Sequence, residues 1–290
     1  MGRVTSVVTS IVAAGAVTLG YAVAVEPYNI EVVRVEVLCP RLPAQLDGYS
    51  ILQVSDLHMR RMGRRERSIA RLIESLETPD LVAVTGDMVH TQEGIEPFME
   101  LANSLRARDG VFAVFGNSEH KNGIDPRSFA AGLSSRGIVS LLNKAIRIDR
   151  GTAAYWLAGV DDPASGHDEL DTALANVPAD EFVLLLMHSP DPISLAVARG
   201  VDVVLSGHTH GGQVRFPLFG PALTHSWHGR RMNSGLYSGA RMQKITGTRP
   251  GRTRLYVTRG LGVSGLALRF LCPPELTHIT LRALDRNQCA

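Results

Sequence analysis

Five short apolar runs, each broken off by carboxylate, imidazole or amide side chains, constrain this chain more than any other feature of it. "ILQVS" (51–55) ends in Asp56-Leu57-His58, "LVAVT" (81–85) in Gly86-Asp87, and "VFAVF" (111–115) in Gly116-Asn117. "FVLLLM" (182–187) ends in His188, and "DVVLS" (202–206) in Gly207-His208-Thr209-His210. Such runs, rich in apolar and β-branched residues and bounded by turn formers, read as buried strands. Stretches with helical spacing follow the first three, at residues 66–76, 96–108 and 126–136, so the pattern is that of parallel strands joined by helices. Parallel strands in an α/β domain bring their carboxyl ends to one edge, where ligands bind. Asp56, His58, Asp87, Asn117, His188, His208 and His210 are therefore expected to converge. Taken singly, each has an ordinary reading as a helix cap, a turn residue or a satisfied core histidine; taken together, that reading needs a coincidence at every strand.

The later runs extend the pattern. "YWLAGV" (155–160), "RLYVT" (254–258) and "LTHITL" (276–281) add strands, and residues 192–199 carry helical spacing. So many strands predict an α/β fold with more than one sheet. With 290 residues, 44% hydrophobic and 20% charged, the chain can bury a sizeable core and lacks the signature of disorder. No Ser/Gly linker, low-complexity run or internal repeat divides residues 26–290, which read as one domain. Thirty basic residues face 28 acidic ones, a net charge of +2, so no broad basic excess tracks a nucleic-acid backbone and no obligate nucleic-acid partner is expected. Cys39, Cys272 and Cys289 show no CxxC spacing, and isolated thiols are expected of them.

Residues 4–25 contain no charged side chain and follow Met1-Gly2-Arg3, a run long enough to cross a bilayer as a helix. Two readings of residues 1–25 stay open. Ala22-Val23-Ala24 supplies the small residues that end a cleavable signal, whereas the length of the run favours an uncleaved membrane anchor. With Arg3 on the short leading side, the positive-inside tendency places the remainder at the cell membrane, outside the cytoplasm.

Carboxylate, imidazole and amide oxygen together are ligands for divalent first-row metals, and this set is too rich in nitrogen for a calcium cage. Seven side chains exceed one tetrahedral site. They suit two metals bridged by a shared carboxylate, a pairing that activates a water and holds both oxygens of an in-line phosphoryl displacement. The ordered blocks D-x-H, G-D, G-N, H and G-H-x-H resemble those of the calcineurin-like metallophosphoesterase superfamily, over residues 50–281. Within it, "MHSPDP", "SGHTHGGQVR", "GRRMNSGLY", "YVTRGLG" and "CPPELT" resemble the membrane-associated bacterial phosphodiesterases of the YkuE/YaeI type. The resemblance implies a four-layer α/β/β/α sandwich, here preceded by the N-terminal hydrophobic helix. It also implies that Asp56, His58 and His210 hold one metal, that Asn117, His188 and His208 hold the other, and that Asp87 bridges them. A metal-bound hydroxide would attack phosphorus. The ligand types admit Mn, Fe or Zn.

One position departs from the family pattern. Most members carry histidine directly after the G-N asparagine, where it stabilises the transition state or protonates the leaving oxygen; here Ser118 stands there, in "GNSEH". His120 is the candidate replacement, with Asn117 and Asp87 completing the expected catalytic set, and an exposed loop histidine is the alternative. Without a strong proton donor, esters with easily departing leaving groups are favoured, so phosphodiester or pyrophosphate cleavage is expected over phosphomonoester hydrolysis. Directly after His58, "RRMGRRER" gathers Arg60, Arg61, Arg64, Arg65 and Arg67. Charge runs are ordinarily solvated faces, but beside a metal ligand these guanidinium forks suggest a lipid-linked phosphate or pyrophosphate substrate. His225, His228, Arg230 and Arg231 border the expected cleft and are further candidates for substrate contact. Two rival functions stay open: a metal-binding sensor or scaffold that catalyses weakly, and a nuclease.

Overall fold

The computed structural model describes residues 2–284; Cys289 and the side chain of Arg3 lie outside what it describes. From the N-terminus, α1 (Gly2–Ala24) leads to β1 (Glu31–Cys39) and β2 (Ser50–Val54). Next come α2 (Arg64–Ser75), β3 (Leu81–Thr85), α3 (Ile95–Ala102), β4 (Val111–Val114), α4 (Asn117–Lys121), α5 (Pro126–Ser135) and β5 (Ile138–Ser140). The second half continues through β6 (Lys144–Arg150), β7 (Ala153–Gly159), α6 (Leu170–Leu174), β8 (Val183–Leu186), α7 (Ile193–Ala198) and β9 (Val203–Ser206). A two-stranded ribbon, β10 (Arg215–Phe216) and β11 (Gly220–Pro221), precedes β12 (Gly235–Tyr237), α8 (Gly239–Thr246), β13 (Arg254–Val257) and β14 (Glu275–Ala283).

The long strands form two six-stranded sheets, ordered β1-β14-β2-β3-β4-β5 and β12-β13-β9-β8-β7-β6. Each has a parallel centre, β2 to β5 in the first and β7, β8, β9 and β13 in the second, which accounts for the unbroken apolar character of those runs. Alternation along each strand sorts its side chains between two layers. Ile51, Leu81, Phe112 and Val114 of the first sheet meet Leu157, Leu184, Leu186 and Leu205 of the second in a shared inner core. On the outer face of the first sheet, Leu52, Val54, Val82 and Val84 pack against Ile69, Phe98, Phe129 and Leu133 of α2, α3 and α5. On the outer face of the second, Leu185, Val204 and Leu255 pack against Ala173, Ile193 and Met242 of α6, α7 and α8. The layers are thus helices, sheet, sheet and helices.

Where the fold departs from the pattern reading, local chemistry gives the reason. The helix expected over 96–108 stops at Ala102, because the Ser104 hydroxyl donates to the Leu101 carbonyl and the next residues must turn back to start β4. There the Arg108 and Asp109 amides donate to the carbonyls of Pro79 and Asp80. β1 and β6 are edge strands whose alternating charges face solvent, so neither shows as an apolar run.

At the N-terminus a helix forms, and its last turn docks: Ala22 is buried and its carbonyl accepts the Arg269 amide at 3.0 Å. Val12, Val17 and Leu19 are exposed. Among the described residues, however, no helix is long and apolar enough to cross a membrane. Serine, threonine and glycine are interspersed throughout "GRVTSVVTSIVAAGAVTLGYAVA" and dilute its hydropathy, so the expected membrane-spanning anchor is not supported.

Candidate metal centre

The loops that leave β2, β3, β4, β8 and β9 meet at one edge of the two sheets. Their backbones interlock first. The Asp56 amide donates to the Gly86 carbonyl at 3.0 Å, the His58 amide to the Asp87 carbonyl at 2.9 Å, and the Gly207 amide to the His188 carbonyl at 2.9 Å. Turning from a strand so abruptly places Asp56, His58, Asp87, His208 and His210 in the left-handed region, at φ of 46° to 69°. Non-glycine residues rarely adopt it, and concentrated strain of this kind is characteristic of functional sites. The glycines of the G-D, G-N and G-H pairs answer a different need. A Cβ at Gly86 would strike the His188 ring, one at Gly116 would strike Asp87 and His188, and one at Gly207 would strike Asp56 and Ser55.

Two buried clusters result, and they share Asp87. Asp56, His58, Asp87 and His210 offer ligand atoms within 4.8 Å of one another, as do Asp87, His188 and His208. Asp87 faces both ways: its Oδ2 lies 3.2 Å from His58 Nε2, and its Oδ1 lies 3.4 Å from His188 Nε2. In the first cluster His58 Nε2 and His210 Nε2 are 3.0 Å apart, and His210 Nε2 is 3.5 Å from Asp56 Oδ1. In the second, His208 Nδ1 approaches His188 Nε2 at 3.3 Å. Orientation comes from the other ring nitrogens. His188 Nδ1 meets the Thr85 carbonyl at 2.7 Å and His208 Nε2 the His225 carbonyl at 3.1 Å, which turns the opposite nitrogens into the cluster.

The donor set fits divalent cations on grounds internal to the chain. Asn117 lines the cavity on the centre, and its Oδ1 is buried without a hydrogen-bond partner. An unpartnered buried polar atom costs about 1–3 kcal/mol. Burial holds His58 and, still further, His210 below the ordinary imidazole range, and lowers His208 to about 4, with the His188 charge adding to it. Burial thus disfavours the charged form of these rings, and ligation requires the neutral one. For His188, burial also favours the neutral form, but the Asp87 charge and hydrogen bond outweigh it and hold the imidazolium well above its usual range. Asp87 is held correspondingly low against its own burial, and burial raises Asp56 to about 6.

Two supports of the centre carry no recognised motif. Glu119, fully buried, accepts the amides of Asp87 at 3.1 Å and Gly116 at 2.8 Å on one oxygen and that of Val89 at 3.0 Å on the other. Burial, then the Asp87 charge, raises its carboxyl to about 8. Its sequence signal is a glutamate three residues after Gly116, the spacing of a capping box. Arg269, also fully buried, donates to the carbonyls of Arg259, Gly260, Gly262 and Cys272 at 2.8 to 3.1 Å. The loop it stiffens reaches Asp56, whose carbonyl accepts the Gly262 amide at 2.7 Å. No periodicity marks an arginine of this kind in advance.

A cavity of about 250 Å³ opens on the centre, lined by His58, Asp87, Asn117, His208 and His210. Lys121, His90 and His225 also line it. Ser118 lies in its wall, but its hydroxyl donates to the Val89 carbonyl at 2.8 Å and its amide to Asp87 Oδ1 at 2.7 Å. His120 turns aside: its Nε2 pairs with Asp161 at 2.7 Å and its ring stacks on His167 at 4.2 Å between centroids. Arg60, Arg61, Arg64 and Arg65 line an adjoining cavity of about 470 Å³ that shares His58 and His90 with the first. Arg230 and Arg231 sit on the short turn Gly229–Arg231 and border neither cavity. Cys39 and Cys272 are buried free thiols.

Two sheets with parallel centres, flanked by helices and carrying paired carboxylate-histidine clusters on a common edge, define a class, and the comparison with known families agrees. Residues 49–212 match the family described as calcineurin-like phosphoesterase, and the chain belongs to it. Among its relatives, an uncharacterized metallophosphoesterase of Bacillus subtilis, YkuE, is 30% identical over 283 residues, 94% of each chain. The Escherichia coli phosphodiesterase YaeI is 31% identical over 240 residues, covering 80% of this chain and 82% of its own. A solved structure of vacuolar protein sorting 29 from Cryptosporidium parvum aligns over 82% of this chain and 87% of its own, at 14% identity and a TM-score of 0.40.

Proposed function

We propose that residues 26–290 act as a dimetal phosphoesterase domain that cleaves phosphodiester or pyrophosphate bonds, with Asp56, His58, Asp87, Asn117, His188, His208 and His210 as the metal ligands. The observation that carries this reading is the pair of buried clusters hinged on Asp87. Two divalent cations there would supply Lewis acidity and an activated water for in-line displacement at phosphorus. The chain's own residues bind and orient. Lys121, His90 and His225 line the cavity and can donate to phosphoryl oxygens, while Asp87 spans both clusters.

Preference for diesters draws on the commitments of Ser118 and His120 to other partners, which leave a substrate with a poor leaving group unassisted. The printed description of YaeI as a phosphodiesterase points the same way. The arginine-lined cavity supports an anionic substrate. Arg64 and Arg65 occupy the first turn of α2, the end of a helix where cations are disfavoured, so helix stability does not explain them. Val23 and Tyr28, at and just beyond the end of α1, line the same cavity, and this apolar surface beside the guanidinium groups favours a lipid-linked phosphate.

The test compares bis-p-nitrophenyl phosphate with p-nitrophenyl phosphate, which share a leaving group. Manganese-dependent turnover is expected, with a higher kcat/KM for the diester. Faster hydrolysis of the monoester would contradict the diester preference. No hydrolysis by metal-loaded protein would favour a sensor or scaffold instead.

A further inference from the structure

Beyond the metal centre, on the side away from the arginines, lies a cavity of about 610 Å³ that shares His208, His225 and Lys121 with the central one. Its walls differ in kind from the arginine-lined side. Pro163, Pro192 and Leu195 give it apolar surface, Ser194 and Asp168 give it hydrogen-bonding edges, and the Trp227 indole stands at its rim.

Trp227 is conspicuous because its backbone is held while its side chain is not covered. Its amide donates to both carboxylate oxygens of buried Asp191 at 3.0 Å, and the hydroxyl of its neighbour Ser226 donates to Asp191 Oδ1 at 2.5 Å. The His228 amide closes the turn on Ser226 Oγ at 3.1 Å. Even so, Trp227 is 82% exposed. A loop anchored in this way, with an exposed indole beside the centre, offers a stacking face to a planar ligand.

We infer that this cavity is the subsite for a nucleoside-like arm of the substrate, its planar base stacked on Trp227 and the phosphoryl group reaching the centre past Lys121. The inference rests on the phosphoesterase reading and specifies its substrate class. An acyl chain would call for uniformly apolar walls, whereas a heteroaromatic base and its sugar need both a stacking face and the polar partners that Ser194 and Asp168 provide.

The experiment uses metal-loaded protein and two diesters with the same leaving group, thymidine 5′-(p-nitrophenyl phosphate) and methyl p-nitrophenyl phosphate. Wild-type protein should favour the thymidine ester in kcat/KM, and the ratio of the two should fall about tenfold in Trp227→Ala and recover in Trp227→Phe. No preference in wild type, or a ratio unchanged by Trp227→Ala, would overturn the inference. If neither diester is cleaved, the phosphoesterase reading fails, and titration with thymidine 5′-monophosphate still decides the subsite. Quenching of indole fluorescence that is lost in Trp227→Phe supports it; no quenching refutes it.

Discussion

Glu119 shows how a residue that touches no substrate can govern the centre. Its carboxyl group gathers the amides of Asp87, Val89 and Gly116, so it fixes the turns from which Asp87 and Asn117 project. Glutamine at this position offers one acceptor oxygen and places an amide donor against at least one of those N–H groups. Glu119→Gln is therefore expected to weaken metal affinity about 10- to 100-fold while preserving the fold, as outer partners of metal ligands usually do. Metal titration followed by calorimetry, with circular dichroism as the control for folding, checks this; unchanged affinity would remove Glu119 from the account. The seven candidate ligands themselves were legible because all of them fall in the short turns that end the five apolar strands. Glu119 and Arg269 were not, because their roles consist of hydrogen bonds to backbone groups brought together from several loops.

At the scale of elements, the strands stand out in the sequence where both faces are buried and fade where they become edges. β2, β3, β4, β8 and β9 are read directly from their apolar runs, whereas β1 and β6 alternate charge along a solvent face. The edge opposite the metal centre shows what ties the two sheets together. Asp80, preceding β3, accepts the Ser50 amide at 2.9 Å and hydroxyl at 2.8 Å, and pairs with Arg150 of β6 in the other sheet at 2.6 Å. Burial alone would raise the Asp80 carboxyl, but the Ser50 hydrogen bonds, Arg108 and Arg150 hold it below its ordinary value of 3.8. A depressed carboxyl contributes stability that is fully present above its unfolded-state value and is lost as pH falls through the folded-state one. Asp80→Asn is thus expected to destabilise the protein by about 1–3 kcal/mol at pH 7. In urea unfolding, the difference from wild type should shrink progressively below about pH 4. A difference independent of pH would show that the carboxylate charge does not join the sheets.

For the whole molecule, the layer order follows from alternation along the strands and the site from their shared direction, so the architecture and the gathering of carboxylate, imidazole and amide groups at one edge were readable from one pattern. Membrane attachment was not. A run without charge reads as a span, yet the small and hydroxylated residues within it leave no described helix apolar enough to cross. The arginine-lined and tryptophan-rimmed cavities likewise needed the folded chain, because their walls come from segments far apart in sequence. The two buried clusters meet at Asp87, and the proposed chemistry requires two cations to share it. Folded protein is expected to gain about 2.7 kcal/mol of stability for each ion bound at a metal concentration 100-fold above that site's dissociation constant, through selective binding to the native state. The most direct test is the number of metal ions retained per chain after manganese reconstitution and gel filtration, in wild type and in Asp87→Ala. Two ions in wild type, with loss of both metal retention and diester hydrolysis in the variant, is the predicted result. A variant that keeps two ions and full activity would contradict it.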